Sequence, residues 1–197
     1  FMQDGPLDMR MDPHSDQSAA RWLEHVEERE LSRIIAELGE ERFARRVARA
    51  IVTRRNEAPI TRTAELAAIV AAAVPTREPG KHPATRTFQA IRMHINRELG
   101  SLAQALPASL KLLAERGRLV VISFHSLEDR AVKQFMRRHA TVDPVYAGLP
   151  QIPVHARPTL RLVGKAFKPS AAEIAANPRA RSAVLRVAER IATREAA

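Results

Sequence analysis

A chain of 197 residues, 45% hydrophobic and 27% charged, has the composition of a folding protein of one large or two small domains, not of a disordered one. Its 32 Lys and Arg outweigh 22 Asp and Glu for a net charge of +10, which points to a polyanionic partner, nucleic acid first and an acidic membrane surface second. No apolar run approaches the roughly 18 residues that span a bilayer, and the lack of cysteine excludes disulfides, thiolate nucleophiles and cysteine-ligated zinc.

The opening segment, Phe1 to Asp12, has neither the apolar core nor the cleavage site of a signal peptide and reads like the middle of a longer protein. Gly5-Pro6 makes it a loop. Asp16 or Ser18 can cap a helix through Trp22 and Val26. Leu31, Ile34, Ile35 and Leu38 then recur at helical spacing, with Gly39 as the stop. A helix from Glu40 to Arg55 places Phe43, Val47 and Ile51 on one side. Arg42, Arg45, Arg46 and Arg49 fall within an arc of roughly 100° on the other. Thr61 or Thr63 starts a helix that ends before Pro75, and Thr76 to Lys81 is a linker. His82-Pro83 opens a helix whose buried side runs Phe88, Ile91, Ile95, Leu99 and Leu102, with a break permitted at Pro107.

At Gly117 the pattern changes. Leu119 to Ile122 is a short continuous apolar run, the mark of a strand buried on both faces. Ser126, with Asp129 three residues on, predicts the N-cap of a helix from Leu127 to His139. Residues 143–157 are rich in proline and predict an exposed loop; Thr159–Val163 and Ala183–Ala188 predict two more strands, with a turn at Asn177-Pro178. The expected architecture is α/β: a helical block, then part of a parallel sheet with one central strand, two flanking strands and open edges.

Ser123, Phe124, His125 and Ser126 stand at the carboxyl end of the first strand, where open α/β sheets bind ligands; the alternative is that Ser126 caps the helix and His125 is a surface loop residue. The arginine face of the Glu40–Arg55 helix suits phosphates, since guanidinium pairs with phosphate oxygens in bidentate fashion, or is simply a solvated face. Trp22, the single tryptophan, can stack on an extruded base or pack in a core. Asp4, Asp8 and Asp12 recur every four residues; on a helix they would share a face, but Gly5-Pro6 argues against a helix, and the alternative is turn chemistry. No glycine-rich phosphate loop is present, and the histidines show no metal-ligand spacing, so no metal is expected.

Five blocks of the sequence together resemble one family: Asp4-Gly5-Pro6-Leu7-Asp8-Met9-Arg10-Met11-Asp12, Glu40 to Ala44, Lys81 to Ala90, Ser123-Phe124-His125-Ser126-Leu127-Glu128-Asp129-Arg130, and Asn177 to Ser182. They are similar, in order and from end to end, to the bacterial 16S ribosomal RNA (cytosine-N4-)methyltransferases, the RsmH or MraW family. The resemblance implies an enzyme that uses S-adenosylmethionine to methylate the exocyclic N4 of a cytosine in the small ribosomal subunit, in the cytoplasm. It implies a Rossmann-like class I methyltransferase domain interrupted by a helical insertion. Residues 1–13 would end the first segment of that domain, 14–96 would be the RNA-binding insertion, and 97–197 the second segment. Members of the family carry a further amino-terminal stretch with the glycine-rich loop and most cofactor contacts. That implies no cofactor-binding residue here, and a fragment that is inactive by itself.

An exocyclic amine needs no thiolate, only orientation and a proton acceptor. Asp4 or Asp8, with His125 as the alternative, is expected in that role. Trp22 is expected to stack the flipped cytosine. Ser126 is expected on the substrate side. Arg42, Arg45, Arg46, Arg49, Arg86, Arg179 and Arg181 are expected to contact phosphates of 16S RNA or the assembled subunit. The competing functional readings are a non-catalytic RNA-binding module that keeps the helical insertion, and a helical interaction protein whose charge is incidental.

Overall fold

The computed structural model describes residues 3–76, 80 and 82–191. Most of the expected linker at 76–81 lies outside them, as do Phe1, Met2 and residues 192–197. The chain divides into two compact units, Phe1–Glu98 and Leu99–Ala197. Among the described residues helices and a small sheet make up the regular structure, an α/β combination.

The first unit is helical. α1 (Ala19–His25) is capped by Ser18, whose side chain accepts from the Arg21 amide. α2 (Glu28–Gly39) buries Leu31, Ile34 and Ile35. Gly39 is its last helical residue, but the left-handed residue that turns the chain is Glu40, at φ 50°. Gly39 is needed for space: a Cβ there would stand 2.6 Å from the Arg86 carbonyl oxygen. Because Glu40 turns out of the helix and the Glu41 carboxylate accepts from the Phe43 amide, α3 begins at Ala44 and runs to Glu57, four residues later than the expected Glu40 start. α4 (Thr63–Ala73) is capped from far away, by Asp4, whose Oδ1 accepts from the Ala64 amide. α5 (Thr85–Ile95) buries Phe88, Ala90, Ile91 and Met93.

The opening loop is fastened to these helices. Leu7 is 2% exposed, its amide donates to Thr61 O, and the Ala19 and Ala20 amides donate to Asp8 O and Leu7 O. Asn96 donates to Met9 O and accepts from the Met11 amide. That demand on Asn96, with Arg97 at φ 50°, ends α5 and corrects the expectation of one helix from Phe88 to Leu102.

α6 (Glu98–Leu112) leads into the second unit and passes through Pro107 without the expected break. Leu106 is buried beside Val132, Met136, Leu160 and Ala188, so packing outweighs the lost amide hydrogen bond of the proline. β1 (Arg118–Ser123), β2 (Leu160–Leu162) and β3 (Val184–Arg190) form a sheet in the order β1-β3-β2. Both pairings are antiparallel, with Val121 opposite Arg186 and Leu162 opposite Ala188. The expected parallel sheet is thereby corrected, and the last strand is the central one. α7 (Ser126–Ala140) covers the face that carries Leu119, Val121 and Ala188. On the other face Val120 and Ile122 are 53% and 55% exposed, so β1 is not buried on both faces. An apolar run reports what a strand could bury, not what covers it. The expected loop at 143–157 contains two single 3-10 turns, Pro144–Tyr146 and Val154–Ala156, and a short helix α8 (Ala171–Ala176) precedes the turn Pro178–Ser182.

Candidate functional site

In the first unit the two acidic candidates are each bound to an arginine. Asp4 Oδ2 accepts from Arg62 Nε at 2.9 Å and Nη2 at 2.6 Å, and its Oδ1 accepts from the Ala64 amide at 3.1 Å. Asp8 holds Arg10 by both oxygens, Oδ1 to Nε at 2.6 Å and Oδ2 to Nη2 at 2.8 Å. The arginine hydrogen bond lowers each carboxyl below its ordinary value, so both stay ionised. A carboxylate in this state is a good hydrogen-bond acceptor and a weak proton sink. Both side chains remain open to solvent, at 43% and 45% exposure.

The basic residues of the first unit fall into two groups. Arg45, Arg46 and Arg49 are exposed on α3, opposite the buried Val47 and Ile51. Arg49 lies 3.7 Å from Glu28. Arg42, also exposed, precedes α3 and does not belong to its stripe. Instead it lines a pocket of about 190 Å³ with His82 and Arg86. Arg86 also donates to Glu40 O at 2.5 Å, which holds the pocket wall to the end of α2.

Trp22 takes the core alternative. It is 5% exposed among the helices, its ring centroid 4.5 Å from that of His94 and tilted by 40°. In this conformation neither ring face is open to a base, which corrects the expected stacking position. Burial also lowers the His94 pKa, leaving an uncharged ring against the indole.

In the second unit the turn from β1 to α7 is built by a pair that sequence spacing misplaced by one residue. His125, not Ser126, is the N-cap: its Nδ1 accepts from the Glu128 amide at 3.3 Å. Glu128 reaches back, its Oε2 accepting from the Phe124 amide at 3.0 Å. Two amides at the helix start are thus satisfied reciprocally. Ser126 is the exposed first residue of α7. With Nδ1 an acceptor, the neutral ring carries its proton on Nε2, which lies 3.2 Å from Glu128 Oε1 without the alignment of a hydrogen bond. His125 in this form has no free lone pair for a substrate proton. Asp129, freed from capping, pairs with Arg186. Arg179 and Arg181 are exposed on the turn Pro178–Ser182.

The resemblance implies a nucleoside cofactor. The strand-to-helix turn that would offer amides to such a ligand spends the Phe124 and Glu128 amides on its own side chains.

Residues 1–191 match the model of the MraW methylase family, and the chain belongs to that family of methyltransferases. Among its relatives, the ribosomal RNA small subunit methyltransferase H of Chromohalobacter salexigens is 58% identical over 192 residues, 97% of this chain. The chain spans 58% of the length of that relative.

Proposed function

We propose that the chain is the substrate-recognising part of an enzyme that methylates the exocyclic N4 of a cytosine in 16S ribosomal RNA, with S-adenosylmethionine as donor. The observation that carries this reading is the 58% identity to a protein named for methylation of small-subunit ribosomal RNA, sustained over 97% of the chain. The exposed Arg45, Arg46 and Arg49, and the pocket lined by Arg42 and Arg86, support an RNA partner. No helix among the described residues is long and apolar enough to cross a membrane, consistent with a cytoplasmic enzyme.

On this reading residues 14–96 form an RNA-binding insertion, while 1–13 and 97–197 belong to a Rossmann-like domain completed by residues outside this chain. The exposed Val120 and Ile122 on β1 support such a completion. The donor is then held chiefly by that further segment, and these 197 residues alone do not methylate. Asp8 or Asp4 accepts a hydrogen bond from the N4 amine and orients its lone pair; their arginines keep them ionised for that purpose. His125 shapes the strand-end turn.

The test is a chimera that joins the amino-terminal part of the Chromohalobacter relative to this chain. It is expressed in a bacterium lacking its own enzyme of this family, and 16S RNA nucleosides are read by mass spectrometry. N4-methylated cytidine is expected. Its absence beside a folded chimera, or a methyl group on another atom, would refute the reading.

A further inference from the structure

The segment between α7 and β2 holds four prolines, Pro144, Pro150, Pro153 and Pro158, and the chain's single tyrosine, Tyr146. Connections this long usually carry a function or stay disordered. This one is fastened. Asp143 Oδ1 accepts from the Val145 amide at 3.0 Å in the first turn, and Arg157 Nε donates to Ile152 O at 3.1 Å across the second. The rings of Tyr146 and His155 meet edge to face at 5.4 Å, which ties one turn to the other.

The fastened loop walls a pocket of about 640 Å³ at the carboxyl end of α7, lined by Arg138, His139, Tyr146, His155, Arg157 and Thr159. That volume suits a small-molecule site. Its base is held in two places: the Thr159 amide donates to His139 O at 2.9 Å, and Thr159 Oγ1 lies 3.1 Å from His139 Nδ1. Thr141 Oγ1 donates to Arg137 O at 2.9 Å, so two of the carbonyls that end α7 have partners and the negative end of the helix is partly covered. Burial, and then the charge of Arg138, lower the His139 pKa and keep that ring neutral. The positive charge of the pocket therefore comes from Arg138 and Arg157. Both are exposed and, among the described residues, neither has a carboxylate partner. The one carboxylate in the wall, Asp143, is engaged with the Val145 amide.

Two guanidinium groups and a pair of aromatic rings in one concavity match a ligand that carries both a phosphate and a planar ring. The fifteen residues of α7 separate this pocket from the β1-to-α7 turn by roughly 21 Å, so a ligand here is distinct from anything held at that turn. We propose that the pocket at the carboxyl end of α7 binds a single nucleotide, its phosphate on Arg138 and Arg157 and its base against the rings of Tyr146 and His155. The nucleotide is either free or one residue of an RNA strand, and the proposal does not depend on the methylation reading.

Because Tyr146 is the only tyrosine, 3-fluorotyrosine incorporated into the 197-residue chain gives one fluorine resonance, at the pocket. Adenosine monophosphate should move it saturably, at concentrations where inorganic phosphate or adenosine alone leaves it in place. Arg138→Gln should weaken that binding about tenfold. His155→Ala should weaken it about fivefold. Both side chains are exposed, so neither substitution opens the core. A short single-stranded RNA that moves the same resonance at lower concentration than adenosine monophosphate assigns the pocket to a strand; a response to the mononucleotide alone assigns it to free nucleotides. A resonance indifferent to both would overturn the proposal, as would an equal response to inorganic phosphate or an unchanged affinity in Arg138→Gln. Anisotropy of the same RNA, fluorescein-labelled, separates the two readings. RNA bound with the resonance unmoved defeats this proposal alone; a resonance moved by adenosine monophosphate in a chain that binds no RNA upholds it and defeats the reading as an RNA enzyme.

Discussion

Asp129 and Arg186 meet in a two-point ion pair, Arg186 Nε donating to one carboxylate oxygen at 2.7 Å and Nη2 to the other at 2.9 Å. The pair joins α7 to β3, the central strand of the sheet, and each side chain is about four-fifths shielded from water. Replacing Asp129 with Asn keeps the volume and removes the charge. The expected cost is about 1–3 kcal/mol, read from urea unfolding.

The same pair sets a pH dependence. The Arg186 hydrogen bond holds the Asp129 carboxyl below its ordinary value, so its contribution is present above about pH 4 and is lost as pH falls through the lower folded value. Stability curves of the unaltered chain and of Asp129→Asn should therefore converge as acid is added. Curves that stay parallel below pH 4 would assign the stabilisation to something other than this carboxylate.

Trp22 fills the core of the helical unit. Trp22→Ala should cost about 3–5 kcal/mol through the cavity it leaves, whereas Trp22→Phe should retain the fold. Thermal unfolding followed by circular dichroism measures both. A Trp22→Ala chain as stable as the original would place the indole outside the core.

Gly39 permits the close approach of α2 and α5. The Cβ of Gly39→Ala would meet the backbone oxygen of Arg86 at 2.6 Å, an atom that cannot rotate away. The expected loss is about 1–3 kcal/mol, despite the better helix propensity of alanine.

His125→Ala should loosen the start of α7 by about 1 kcal/mol, and His125→Asn should restore most of it, since an amide oxygen can accept from the Glu128 amide. Hydrogen exchange at Glu128 reports the cap directly.

Much of the helical unit was legible in sequence because its apolar residues recur at helical spacing, as Leu31, Ile34 and Ile35 do in α2. Sequence pattern and structure part where a distant residue decides a local outcome. α4 takes its cap from Asp4, and α5 ends where Asn96 is drawn to Met9 and Met11. Neither partner stands near its target in the chain. The β1-to-α7 turn is marked in the sequence by its apolar run and polar end, but serine is the commoner cap, so spacing favours Ser126 and Asp129 where the structure uses His125 and Glu128. Sheet direction was not readable, because a continuous apolar strand carries no mark of its partner. The arginine stripe was legible as three residues of α3; Arg42 left it when Glu40 turned the chain. Trp22 offered no signal that separates a core indole from a stacking one.

The central claim is that these residues recognise RNA while the methyl donor is held chiefly elsewhere. Titration calorimetry of the 197-residue chain tests it with two ligands in turn. The prediction is binding of a small-subunit RNA fragment that weakens steeply with salt, and no saturable heat with S-adenosylmethionine at micromolar concentrations. A micromolar complex with S-adenosylmethionine alone would contradict the account.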